Sequence, residues 1–265
     1  MTESTRLLIR ADDLGSFRGA NRAIDQLLRG GLCRNTGIMA PTPYFDEAVK
    51  LMTNRPNTCL GLHATLNSEW DTFRWRPVLP AAQVPCLVEA DGTFKRTPNA
   101  THDGGVDFSQ MLAEIEAQLA KARGAGLDVE YLDLHMCFGW VHEPGHPENR
   151  FESVLQDLAR RQGLRYFATE STPEGQVTVI NGQRLQPLRP AGLAALTSAS
   201  VAGGAWLWVA HPAVREAEIE TADHTGVTPG QVAAQRDAEW RTLSGPQLAE
   251  TCRAQGIRAI RVTDL

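Results

Sequence analysis

The chain alternates short apolar, strand-like runs with helical patterns, and the ends of four of those runs carry aspartate or histidine. Strands linked through helices form a parallel sheet, so this alternation limits the fold more than any other feature. The strand-like runs are Arg6 to Arg10, Thr36 to Met39, Thr58 to His63, Tyr131 to His135, Arg165 to Ala168, Ala205 to His211 and Ile257 to Val262. Between them lie helical patterns. Ala20 to Leu28 has an apolar face of Ala20, Ala23, Ile24, Leu27 and Leu28, and Phe108 to Arg123 one of Met111, Leu112, Ile115 and Leu119. Others fall around Phe45 to Met52, Glu148 to Arg161, Val232 to Trp240 and Pro246 to Ala254.

For 265 residues, a closed or nearly closed α/β barrel suits the length better than an open sheet, although periodicity does not separate the two. Two segments interrupt the rhythm, a Trp- and Pro-bearing excursion at about 66–106 and a polar one at about 171–190. Loops this long in a compact domain are usually functional or carry small sub-structures. Neither has linker composition, so the expectation is a single domain over 1–265.

The net charge of −5, with no basic stripe, speaks against a nucleic-acid partner. No apolar run approaches the roughly 20 residues of a membrane-spanning helix. No basic segment leads into a long apolar one near Met1, so a signal peptide is not expected. The five cysteines are scattered and form no CxxC pair, which reads as reduced thiols in a cytoplasmic protein. A homodimer is compatible with this composition.

Chemistry gathers at the strand ends. In parallel α/β architectures ligands bind at the C-terminal edge of the sheet. Here the first strand ends in Asp12-Asp13, the third in His63, the fourth in Asp133 and His135, and the sixth in His211. Imidazoles and a carboxylate suit a divalent ion such as zinc, and such a set leaves positions open for water and substrate. If Asp12 and Asp13 continue the strand they point to opposite sides, one free to ligate metal and the other to handle a proton. Alternatively the pair caps the following helix, and His63 is a half-buried histidine bonded to backbone. Alternation puts Asp133 on the same face as His135, where it could orient that ring. His211, before Pro212, suits a general acid.

Other polar residues receive plainer expectations. Pro144 and Gly145 separate His142 from His146, so a HExxH zinc helix fails there. His102 and His224 read as solvated, and Arg236 with Asp237 as a surface or interhelical pair. GxGxxG, Walker and GxSxG motifs are absent, which leaves nucleotide-binding and serine-hydrolase readings little support. Trp70, Trp75 and Trp140 lie in expected loops near the site edge and could stack on sugar faces, or could simply pack the excursions.

The runs Leu8-Ile9-Arg10-Ala11-Asp12-Asp13-Leu14-Gly15, Gly61-Leu62-His63, Tyr131-Leu132-Asp133-Leu134-His135-Met136 and Ala210-His211-Pro212 occur in that order. With them the chain resembles the YdjC-like (ChbG/HpnK) carbohydrate deacetylases. The resemblance implies a distorted TIM-like (β/α)7 barrel of the glycoside hydrolase/deacetylase type. It also implies removal of an acetyl group from an N-acetylated sugar or small glycan by metal-activated water. Asp13, His63 and His135 would hold one divalent ion, Mg2+ or Zn2+. Asp12 would be the base and His211 the acid that protonates the leaving amine. The segments Ser68 to Arg76 and Met136 to Trp140 depart from the common family pattern, which points to a reshaped pocket.

Two other readings compete. One is a hydrolase or isomerase acting on another carbohydrate bond on a related barrel, separable by acetate against reducing-sugar production. The other is a non-catalytic, metal-stabilised sugar-binding protein, which would bind without turnover and leaves the carboxylate pair and third histidine at one edge unexplained.

Overall fold

The structure, a computed structural model, describes residues 4–53, 55–137, 150–172, 175–188, 204–224 and 226–265. Its strands are β1 (Arg6–Leu14), β2 (Asn35–Ile38), β3 (Cys59–Ala64), β4 (Tyr131–Leu134), β5 (Arg165–Tyr166), β6 (Ala168–Thr172), β7 (Gly175–Ile180), β8 (Gln183–Pro187), β9 (Ala205–Ala210) and β10 (Arg258–Ala259). The helices are α1 (Arg18–Gly30), α2 (Phe45–Met52), α3 (Pro98–Asp103), α4 (Phe108–Gly124), α5 (Arg150–Arg161), α6 (Ala217–Glu220), α7 (Gln231–Ser244) and α8 (Pro246–Ala254). Each strand-like run read from the sequence is a strand here, and all of them pair in parallel.

Strand order runs β5-β4-β3-β2-β1-β9-β8-β7-β6, with β10 joined to the start of β1. The polar excursion at 171–190 contributes to an antiparallel meander, β6-β7-β8, that the sequence reading passed over. It completes the ring. The two ends of the strand path, β5 and β6, are separated in the chain by Phe167 alone, and the Phe167 N–H still donates to Leu132 O at 3.3 Å. The result is a nearly closed, distorted TIM-like barrel.

Alternation along the strands sorts residues between barrel interior and helix layer. Leu8, Cys59, Tyr131, Leu207 and Ile260 form one buried apolar cluster inside the ring. Leu7, Ile9, Ala11, Leu62 and Leu132 face outward, into the cluster that holds Ile24, Leu27, Ile115 and Leu158 of the helices. Two to four residues further along the inward-facing rows stand Arg10, Asp12, His63 and Asp133. The floor of the barrel is therefore apolar and its C-terminal mouth is charged. Tyr131 fills the floor only because position 61 is glycine, since a Cβ there would lie 2.0 Å from the Tyr131 ring.

The excursion at 66–106 is ordered by α4. Gln110, Glu114 and Gln118 are spaced four residues apart on one helical face, and each binds backbone of the excursion or its root. Gln110 accepts from Cys86 N at 2.9 Å, and Glu114 accepts from Val78 N and Leu79 N at 2.8 and 3.0 Å. Gln118 accepts from Thr65 N and donates to Thr65 O. The sequence reading saw the apolar face of this helix and missed the polar one.

Asn35 joins the first strand to the last. Fully buried, it donates to Ile9 O and Ile260 O, both at 3.0 Å, and accepts from Val262 N at 2.7 Å. Stranding such groups in the interior costs about 1–3 kcal/mol each. Asn35→Ala should therefore lower unfolding stability by at least about 2 kcal/mol in urea titration with an unchanged m-value. A midpoint equal to that of the parent chain would refute this account.

Candidate metal centre

The Asp12-Asp13 pair departs from simple strand alternation. Asp13 has φ 67, in the left-handed region, which aspartate tolerates better than most residues. The β1–β2 register shifts between Ala11 and Leu14, and Ser16 binds the Asp13 carbonyl through its N–H and its hydroxyl. This local twist brings both carboxylates to the barrel mouth, instead of sending them to opposite sides. The helix-capping alternative does not hold, because the N-cap of α1 is Phe17 and no side chain caps it.

His63, next to last in β3, lies directly opposite Asp133 of β4, and its Nδ1 lies 2.7 Å from Asp133 Oδ2. Asp133 thus orients His63, not His135 as strand alternation suggested. The reason is that β4 stops at Leu134 and His135 opens a 3-10 turn in which Met136 has φ 59. That turn aims His135 Nδ1 at Asp13 and His63 while its Nε2 meets Glu69 Oε2 at 3.1 Å. Gly37 makes room for His63, since a Cβ there would stand 2.9 Å from His63 Cβ.

Three atoms then converge. Asp13 Oδ1 is 3.5 Å from His63 Nε2 and 3.3 Å from His135 Nδ1, and the two ring nitrogens are 3.3 Å apart. Ligands at about 2.1 Å from a tetrahedral ion stand about 3.4 Å from one another, against about 3.0 Å between neighbours on an octahedral one. The observed separations let all three atoms reach one divalent ion. Asp13 Oδ1 is buried without a hydrogen-bond partner, as are Asp12 Oδ1 and Asp133 Oδ1, and an ion would satisfy it. A second cluster, Asp12, His63 and Asp133, also lies close enough to share an ion. There, however, Arg10 already binds Asp12 Oδ2 at 2.6 Å and Asp133 Oδ2 at 3.0 Å. The first set is the better fit.

Charge balance agrees with this. Asp12, Asp13, Asp133 and Glu69 are buried around two guanidinium groups, Arg10 and Arg236. With neutral imidazoles this leaves two negative charges uncompensated. Burial alone would lower both histidines, but Asp133 and Asp12 raise His63 well above the ordinary range. Against the same burial, Glu69 and Asp13 push His135 up to about 9. The surrounding carboxylates thus favour positive charge on the two imidazoles, and a divalent cation would supply positive charge at the same place. For Asp13, burial works upward, and Arg236 with the two histidines outweighs it and holds the carboxyl well below its usual range.

Arg236 corrects the sequence reading. It is buried, its Nη1 lies 2.7 Å from Asp13 Oδ2, and its guanidinium lies near the faces of Trp70 and Phe17. Asp237 pairs with Arg241 instead. A polar helix such as α7 reads as solvated, and only the approach of α7 to the barrel mouth reveals the arginine's place. Glu69, also missed, sits in the aperiodic excursion, where no spacing marks it. His211 directly follows β9 and stands beside Asp12, continuing the register of Ala11 with Ala210. Its backbone N–H donates to Glu239, and burial, with Arg236 adding to it against the pull of Asp13, lowers its ring below the ordinary range.

A cavity of about 720 Å³ opens over these groups, with Arg10, Asp13, His135, His211, Trp70 and His224 on its wall. His224 is therefore not simply solvated; its ring stands 5.5 Å from that of Trp70. Trp75 is not on the cavity wall. Its indole N–H binds Asn67 O at 2.8 Å and its ring edges His135. Trp140, His142 and His146 lie outside the described residues. Among the described residues, no helix is long and apolar enough to cross a membrane.

A solved structure from Enterococcus faecalis V583, described as that of a cellobiose-phosphate cleavage protein, shares this fold. It superposes with a TM-score of 0.76 at 19% identity, covering 99% of each chain. A carbohydrate deacetylase of Thermoanaerobacter pseudethanolicus is 33% identical over 130 residues, 49% of this chain and 49% of that one. One from Vibrio vulnificus is 29% identical over 155 residues, 58% of this chain and 55% of that one. The chain thus spans about half the length of the curated relatives it matches. The model of the YdjC-like protein family matches residues 6–254, nearly the whole sequence, and the chain belongs to that family.

Proposed function

We propose that this chain is a metal-dependent hydrolase that removes the acetyl group from an N-acetylated sugar or small glycan. The observation that carries the reading is the triangle of Asp13 Oδ1, His63 Nε2 and His135 Nδ1, open on one side to the cavity. The names of the curated relatives support the choice of substrate. Asp13, His63 and His135 would hold the ion, and a donor set with two imidazoles favours zinc or a similar ion over magnesium. When bound, such an ion acts as a Lewis acid that lowers the pKa of a water to about 7 and polarises a carbonyl.

The remaining steps fall to the chain's own groups. Arg10 holds Asp12 Oδ2, while Oδ1 is buried without a partner, so Oδ1 is the atom placed to take a proton from water. Just past the neighbouring strand, burial lowers the His211 ring below the ordinary range, which favours its neutral form. The proton that Asp12 takes from water would be returned through His211 to the leaving amine, which leaves both groups as they began. Arg236 restrains Asp13 through Oδ2 and leaves Oδ1 for the ion. The cavity volume suits a small sugar, and the wall position of Trp70 suits contact with a sugar ring. Trp75 supports His135 instead.

Incubation with a panel of N-acetylated sugars should release acetate and free amine in equal amounts, stop on chelation and resume with zinc. Reducing sugar formed without acetate would shift the assignment to another bond. His63→Ala and His135→Ala should each lose bound metal and activity while retaining the parent circular-dichroism spectrum; full metal content in either would overturn the ligand set. Asp12→Asn should keep the metal and lose turnover by about 10²–10⁴-fold. Loss of metal in that variant would exchange the roles of Asp12 and Asp13.

A further inference from the structure

The rings of the two histidines in the triangle have different outside partners. His63 is held from within the barrel, by Asp133 on the adjacent strand. His135 is held from outside it, by Glu69 in the long excursion. It needs the support more, because it stands past the end of β4, in a turn whose next residue is in the left-handed region. A histidine side chain can rotate about its bonds and can carry its proton on either nitrogen. Only one combination leaves the Nδ1 lone pair facing Asp13 and His63. An acceptor at Nε2 selects that combination, and Glu69 Oε2, 3.1 Å away on a buried side chain, is such an acceptor.

The excursion gives Glu69 a fixed place. Its neighbours are both anchored, with Ser68 N donating to Lys95 O at 2.9 Å and Ser68 Oγ accepting from Trp75 N at 3.1 Å. Trp70 packs against Phe17, and Trp75 packs its edge against the His135 ring. Together these contacts aim the carboxylate at one nitrogen.

We infer that Glu69 is a positioning residue that fixes the ring orientation and tautomer of His135, so that the excursion, and not the barrel alone, sets the affinity of the metal centre. This rests on the metal-binding reading above. Loss of such an outer partner typically costs 10–100-fold in metal affinity. In competition titrations of the metal-free protein with zinc and a chromophoric chelator, Glu69→Ala should bind about 10–100-fold more weakly. Glu69→Gln, which keeps an acceptor at the same reach, should recover most of the loss and preserve the visible spectrum of the cobalt(II)-loaded protein. Parent affinity in Glu69→Ala, or no recovery in Glu69→Gln, overturns the inference. Should Glu69→Ala fail to fold, Glu69→Asp carries the test: it keeps the charge but withdraws it from Nε2, so parent affinity there overturns the inference equally. His63→Ala, run alongside, separates the two levels. If it retains zinc, the metal site itself is misassigned; if it loses zinc while Glu69→Ala does not, only the role of Glu69 falls.

Discussion

The guanidinium of Arg10 is the hinge of the barrel mouth. Buried on the inward face of β1, it binds Asp12 on its own strand and Asp133 three strands away, and its guanidinium carbon lies 4.5 Å from the centre of the Phe167 ring. Burying one charge without partners costs several kcal/mol, and removing one partner of a buried pair leaves that cost exposed. Each carboxylate it restrains governs another group: Asp133 sets the ring of His63, and Asp12 stands beside His211. The same contact reaches Phe167, the single residue through which β5 passes into β6. Order in the ionic cluster and closure of the ring therefore depend on one another.

Much of this was legible in the sequence. The parallel strands could be read because apolar runs alternate with amphipathic helices, and Asp12, His63, His135 and His211 because strand ends in such folds share one edge. What escaped the reading has a physical reason in each case. The positive φ of Asp13 is a property of a bulge between two strands, invisible in one of them. Arg236 lies on a helix with little apolar contrast, so nothing in its spacing tells a buried arginine from a solvated one. Glu69 belongs to a segment with no period at all. In β8 Arg184, Gln186 and Pro187 are exposed around a buried Leu185, and polarity without helical spacing reads as loop.

The excursion changes how the site is understood. Gln110, Glu114 and Gln118 of α4 hold its backbone much as a neighbouring strand would, with side chains in place of a ladder. That attachment lets a largely irregular segment place Glu69 and Trp75 against one histidine. Long loops over a rigid barrel are where related proteins diverge most easily. Here the loop is bound into the ionic cluster itself, so changing it alters the centre as well as the pocket.

The pairing of β1 has a consequence for the order of assembly. This strand lies between β2, which follows closely, and β9 and β10, which arrive some two hundred residues later, with Asn35 tying in Ile260 and Val262. Asp13, His63 and His135 all lie well before β9 in the chain, yet the strand that bears Asp13 has an open edge until Ala205–Ala210 has been made. During synthesis the nascent N-terminal half therefore presents an unpaired apolar strand, which is a hazard for association between chains. The centre can become rigid only when the last strands close against the first, so its formation marks the completion of the fold.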